Sequence, residues 1–353
     1  MRKEEHLKTL LRNFVESEKE VKMAFLYSNQ GLLISKYLKT DTQVQDTQEL
    51  ESVHGAFMAM IENLLEKISS EYNIDHYGSG SFETSDHRII YLEAGSDAIL
   101  LLVCSYETNL NMLFPIAYLV VEKIAQILED SFDDRYNTLT IPNLWNNGQF
   151  SLGLDKYNLE HPKPILEGVY PLHQISKKER VQKFFKLIVL GPAAVGKTTL
   201  INQFLKNEQV IDYRPTLGIS ISSQNYYIQG NKDDVINFLI YDLAGQEFFK
   251  RVRHKYYKGA NCAFVMYDVT RIKTFDETIN FWFDDARNEL GNIPFVLIGN
   301  KIDLQNRQVT TEEGINIAKE LKCFFTETSA LNNINVQDTF KLMGIGLFFQ
   351  SDE

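Results

Sequence analysis

The chain has 353 residues, 44% hydrophobic and 24% charged, with a formal net charge of −11. That length fits about two domains of roughly 100–200 residues, and no apolar run approaches the roughly 18 residues of a membrane span. Residues 1–133 hold 11 Lys+Arg against 22 Asp+Glu, so all the net charge lies there, which argues against nucleic acid and anionic membrane as general partners of that region.

The N-terminus, "MRKEEHLKTLL", has no apolar secretory core and no myristoylation glycine. Leu7, Leu10, Leu11, Phe14 and Val15 recur at helical spacing and predict a first helix. A hairpin follows, Met23–Tyr27 and Leu32–Tyr37 about the turn "SNQG". A second helix is expected from about Leu50 to Ser69. Three strands come next, near Tyr77–Glu83, Arg88–Glu93 and Ala98–Tyr106. A third helix, about Asn111 to Glu129, is apolar around most of its circumference and must be covered on more than one side. Residues 134–184 hold four of the eight prolines and no sustained period, which predicts a linker. Trp145, Phe150 and Tyr170 make it too apolar for a free tether, so part of it is expected against a domain.

From residue 185 onward, apolar runs at "KLIVL", "INFLIYDL", "CAFVMYDV", "PFVLIGN" and "CFFTETSA" alternate with helical or loop segments. This order predicts an α/β domain over 185–353 with a mostly parallel sheet and helices on both faces. Cys104, Cys262 and Cys323 each fall in apolar stretches, without metal-like spacing. They read as buried thiols of a cytoplasmic protein. The C-terminus, "GLFFQSDE", has no prenylation cysteine, so no intrinsic lipid anchor is expected.

"GPAAVGKTT" fits the phosphate-loop pattern, with Gly191, Gly196, Lys197 and Thr198 between a strand and a helix. Turned backbone N–H groups and the positive helix end suit phosphates; Lys197 adds a charge at the β and γ phosphates, and the Thr198 hydroxyl suits Mg²⁺. "GNKID" identifies the base. A carboxylate at Asp303 accepts from both the ring N–H and the exocyclic amine of guanine, a donor pair that adenine lacks. Asn300 is expected to tie this loop to the phosphate loop, and the Lys301 stem to lie over the purine. "ETSA" supplies Ser329 and Ala330, whose N–H is expected to read the guanine oxygen. "YRPTLG" adds Thr216, and "YDLAGQE" adds Asp242, Gly245 and Gln246.

With "GPAAVGKT", "PT", "DLAGQE", "NKID" and "TSA" in order, residues 185–349 resemble the Ras-like small GTPases. The resemblance implies GTP/GDP and Mg²⁺ as ligands. The nucleotide would lie against Gly191, Ala194, Val195, Gly196, Lys197, Thr198 and Thr199, with Thr216 and Gly245 at the γ-phosphate. Thr198, Thr216 and Asp242 would serve the metal, and Gln246 would orient the attacking water, with Lys197 and Thr216 assisting. Switch segments at about 208–220 and 243–256 would order around the γ-phosphate. The chain departs from the family at Ala193 and Ala194, where many members have glycine, and the Ala193 methyl implies slow hydrolysis. It also has Gln209 where the Ras branch has an aromatic ring, and Leu331 where lysine is common. Arg214 stands one residue off the register of a built-in arginine finger.

The first 133 residues, through element order and "AFLYSNQGLLISKYL", resemble the roadblock (dynein light chain) family, with a longin domain as the alternative. Resemblance implies an α+β module of about five antiparallel strands. Such a module dimerises, as a homodimer or within a roadblock-containing complex, through its central helix and sheet, and regulates GTPases.

Overall fold

The computed structural model describes residues 2–39, 79–83, 87–95, 97–132, 138–142, 169–171, 182–205, 219–227, 235–243 and 256–350. The helix expected near Leu50–Ser69, most of the linker and most of both switch segments lie outside the described residues. So do Gln209, Arg214, Thr216, Gly245 and Gln246.

Helix α1 (Arg2–Ser17) buries the stripe Leu7, Leu10, Leu11, Phe14 and Val15. Strands β1 (Val21–Ser28) and β2 (Leu33–Leu38) form the hairpin, pairing Phe25 with Lys36. Gly31 closes the turn at φ 76, where an L side chain is strained. Strands β3 (Ser79–Glu83), β4 (His87–Glu93) and β5 (Ala98–Ser105) lead into helix α2 (Leu110–Leu128).

Where the sequence predicts five strands, this sheet has six, in the order β2-β1-β5-β4-β3-β6 and antiparallel throughout. The sixth, β6 (Val169–Pro171), comes from the segment read as linker and pairs Ser81 with Tyr170. An unpaired strand edge presents a row of free N–H and C=O groups, and a short extended run of linker satisfies them. Linker residues also lie on the helices: Ile141 is buried, and Leu139 O accepts from Asn13 Nδ2 at 2.9 Å.

The second sheet starts with β7 (Gln182–Leu190) and helix α3 (Lys197–Phe204). Strands β8 (Ile219–Tyr227), β9 (Val235–Leu243) and β10 (Cys262–Asp268) follow. Next come α4 (Ile272–Glu277), a π-helical turn at Thr278–Phe283, α5 (Asp284–Leu290) and β11 (Phe295–Asn300). Helix α6 (Thr311–Glu320), β12 (Phe324–Thr328) and α7 (Val336–Gln350) complete it. The order is β12-β11-β10-β7-β9-β8, parallel except for β8 against β9.

Both sheet faces are covered. On one, Phe204 stacks on Phe340 at 4.0 Å, with Phe238 and Phe264 edge-on. On the other, Tyr267, Phe275, Trp282, Phe283 and Phe295 form a second cluster. After β7 the chain builds β9 on one side and β10 on the other. This reversal leaves a crevice at the carboxyl ends of the strands, where open α/β sheets bind ligands.

Candidate functional site

Five loops meet at that crevice because five parallel strands end there. The phosphate loop follows β7. Asp242 is the last residue but one of β9, Asp268 ends β10, Asn300 ends β11, and Ser329 follows β12. Register carries the alignment across the sheet: Val189 faces Asp242, Asp268 faces Asn300, and Asn300 faces Thr328.

Close packing requires glycine at two places in the loop. A Cβ on Gly191 (φ +136) would lie 2.3 Å from Met266 O, and one on Gly196 (φ +100) would lie 2.3 Å from Asn300 Nδ2. Lys197, 7% exposed, donates to Gly191 O at 2.9 Å and Pro192 O at 2.8 Å, so the loop wraps its ammonium group. The Thr198 hydroxyl donates to Asp242 Oδ2. Thr199 is exposed in the first turn of α3, and Val195 is buried beneath the loop.

Asn300 joins three loops. Its Nδ2 donates to Val195 O at 2.8 Å, while its Oδ1 accepts from Thr328 Oγ1 and Ala330 N, both at 3.0 Å. The Ala330 N–H, the group expected to read the guanine oxygen, donates here to Asn300 Oδ1. Ser329 Oγ donates to Asp303 Oδ1 at 2.6 Å and accepts from Asn332 N, which fixes the carboxylate against the third loop.

Two residues absent from the sequence reading belong here. Asp268, 1% exposed, accepts Thr270 N and Oγ1 on Oδ1, and Arg271 Nε (2.9 Å) and Lys301 Nζ (2.7 Å) on Oδ2. Burial alone would raise its pKa, but hydrogen bonds from Lys301 and Thr270 outweigh it and hold the carboxyl below its usual value. Arg271 Nη2 and Lys301 Nζ both donate to Ala194 O, at 2.9 and 2.8 Å. Ala194 (φ 62) and Lys301 (φ 71) are both left-handed without being glycine, so backbone strain is concentrated where the loops touch. The sequence shows only an aspartate near the end of the apolar run "CAFVMYDV"; that β10 lies beside β7 and its phosphate loop is a feature of the sheet order.

Thr198 and Asp242 supply hard oxygen donors beside the loop. That set suits Mg²⁺, which takes one or two carboxylates together with substrate phosphates. The glycine loop, the buried lysine and the helix start define a phosphate-binding site of the P-loop nucleotide-binding class.

Residues 186–345 match the Ras family. The chain is similar to Ras-related protein RABA5e of Arabidopsis thaliana, 37% identical over 171 residues, which is 48% of this chain and 77% of the relative. It is also similar to Ras-related protein RABA6a of Arabidopsis thaliana, 39% identical over 168 residues, 47% of this chain and 70% of the relative. Through its C-terminal half the chain belongs to the Ras family, and at that level it is a GTP-binding, GTP-hydrolysing switch. Among the described residues, no helix is long and apolar enough to cross a membrane.

Proposed function

We propose that the chain is a guanine-nucleotide switch with slow intrinsic hydrolysis, carrying an N-terminal roadblock-type unit that dimerises it or regulates its GTPase domain in the cytoplasm. Support comes chiefly from Asn300, which bonds the phosphate loop, β12 and the Ser329–Ala330 loop into one cradle. In this reading Asp303 selects guanine and Lys197 meets the β and γ phosphates. Thr198, Thr216 and Asp242 hold Mg²⁺, whose charge offsets that of the phosphates. Gln246 orients the attacking water, and the Gly245 N–H holds the γ-phosphate. Positioning and charge supply most of the acceleration in phosphoryl transfer, so these side chains need no covalent role.

A second reading, a GTP-binding scaffold that barely hydrolyses, draws support from Ala193, which is exposed on the phosphate loop. Single-turnover GTP hydrolysis separates the two. Wild type is expected to exceed Gln246→Leu by roughly tenfold or more, as loss of one water-positioning group implies. Equal rates favour the scaffold, and ATP binding as tight as GTP binding removes the guanine assignment. For the N-terminal unit, a full chain that sediments as a monomer at every concentration rules out the dimer.

A further inference from the structure

Helix α2 of the N-terminal unit lies against α7 of the Ras-family domain, and the contact is charged. Lys123 and Asp338 pair at 2.7 Å with side-chain exposures of 2% and 4%, and Lys123 Nζ also donates to Thr138 O at 2.6 Å. Beside them, Glu122 accepts Lys341 Nζ and Gln126 Nε2 on Oε1, and Tyr226 Oη on Oε2. Burial, and then the charge of Glu122, drive the Tyr226 phenol well above its ordinary pKa. The apolar girth of α2 has its explanation here. Leu113, Ile116, Val120 and Ile124 belong to one buried cluster that continues through Phe340, Met343 and Leu347 of α7.

Buried ions are costly unless each is paired, so a seam of two adjacent charges tolerates only one register, whereas an apolar face alone tolerates several. The seam also reaches the nucleotide site. Tyr226 sits on β8, which pairs along its length with β9: Tyr226 opposite Ile236, Ser220 opposite Asp242. Glu122 therefore holds the far end of the strand pair whose near end sets Asp242 beside Thr198.

We propose that the α7–β8 face of the Ras-family domain is a docking surface for this chain's own N-terminal unit, recognised by Glu122 and Lys123, and that the dock slows nucleotide release in cis. Release requires a local opening of the site, and pinning β8 makes that opening less favourable. The inference rests on the guanine-nucleotide reading above.

The test uses the full chain loaded with methylanthraniloyl-GDP and chased with unlabelled GDP. Tyr226→Phe and Glu122→Gln are compared with wild type and with Leu10→Val, a change in α1 within the same buried cluster that touches none of the seam's charged groups. Both seam variants are expected to release label about threefold faster or more, the scale of coupling that one contact carries. The rate should not depend on protein concentration, and Leu10→Val should lower the unfolding temperature without changing release. Unchanged release in the seam variants, or an equal rise in Leu10→Val, overturns the dock's regulatory role. Release that slows with rising protein concentration places the contact in trans and overturns the cis assignment. If wild type takes up no labelled GDP, the nucleotide reading falls and the coupling with it, whereas normal uptake with unchanged release removes the coupling alone.

Discussion

Gly196 and Gly259 both have positive φ, +100 and +78, yet their surroundings differ. A Cβ on Gly196 meets Asn300 Nδ2 at 2.3 Å, while one on Gly259 meets nothing within 4 Å. Gly259→Ala is expected to cost only backbone strain, about 1–2 kcal/mol, with GDP affinity intact. Gly196→Ala adds displacement of Asn300 from Val195 O, so GDP affinity should fall at least about tenfold. Titration with labelled GDP and thermal unfolding of both variants check this; equal affinities would remove Asn300 as the tie between loops. Glu18 offers a separate test far from the site. Burial, then Glu20, raise its carboxyl to about 7. Between the unfolded value near 4.5 and the folded value near 7, the native state binds the extra proton, so stability falls as pH rises through that window and levels off above it. Glu18→Gln is expected to flatten this slope and to gain up to about 3 kcal/mol at pH 8, read by urea unfolding across pH.

The packing of α7 on the sheet gives the next prediction. A Cβ on Gly344 would lie 2.4 Å from the Phe238 ring and 3.3 Å from Ile236. Alanine in a helix is favoured over glycine by about 1 kcal/mol, but overpacking a close-packed core costs about 1–3 kcal/mol. Gly344→Ala should therefore lose about 1–2 kcal/mol, and Phe238→Leu in the same chain should recover part of it; a stabilised single variant would contradict the close approach. Legibility in the sequence followed burial. Strands β7, β9, β10, β11 and β12 are buried on both faces or nearly so, and they read as continuous apolar runs. Strand β8, "ISISSQNYY", is a sheet edge with Ser220, Ile221, Ser223 and Asn225 exposed, so it shows no apolar run. Strand β6 has three residues, too few to show a period. The glycine loop, Asn300 and Asp303 stood out because phosphate and base chemistry constrain residue type and spacing. Asp268 and Arg271 did not, since their roles follow from β10 lying between β7 and β11, an adjacency that the linear order does not contain.

At the scale of the whole molecule, the same limit applies to α2. Its apolar girth signalled a second cover, but periodicity reports burial and not the identity of the partner. The partner proved to be α7, and one buried cluster runs from Leu7 in α1 through α2 into Phe340 and Phe348. Two units sharing a core have no reason to unfold separately. The full chain is expected to lose its structure in one urea transition seen alike by fluorescence and circular dichroism. The Lys123–Asp338 pair makes that expectation sharper. Lys123→Met leaves Asp338 buried without its cation, which costs about 3–5 kcal/mol and should split the transition as the N-terminal unit separates first. Adding Asp338→Leu replaces both charges by apolar groups and should restore most of the loss along with the single transition. If Lys123→Met leaves the transition single and its midpoint unchanged, the pair does not hold the two units together, and the shared apolar cluster alone accounts for their union.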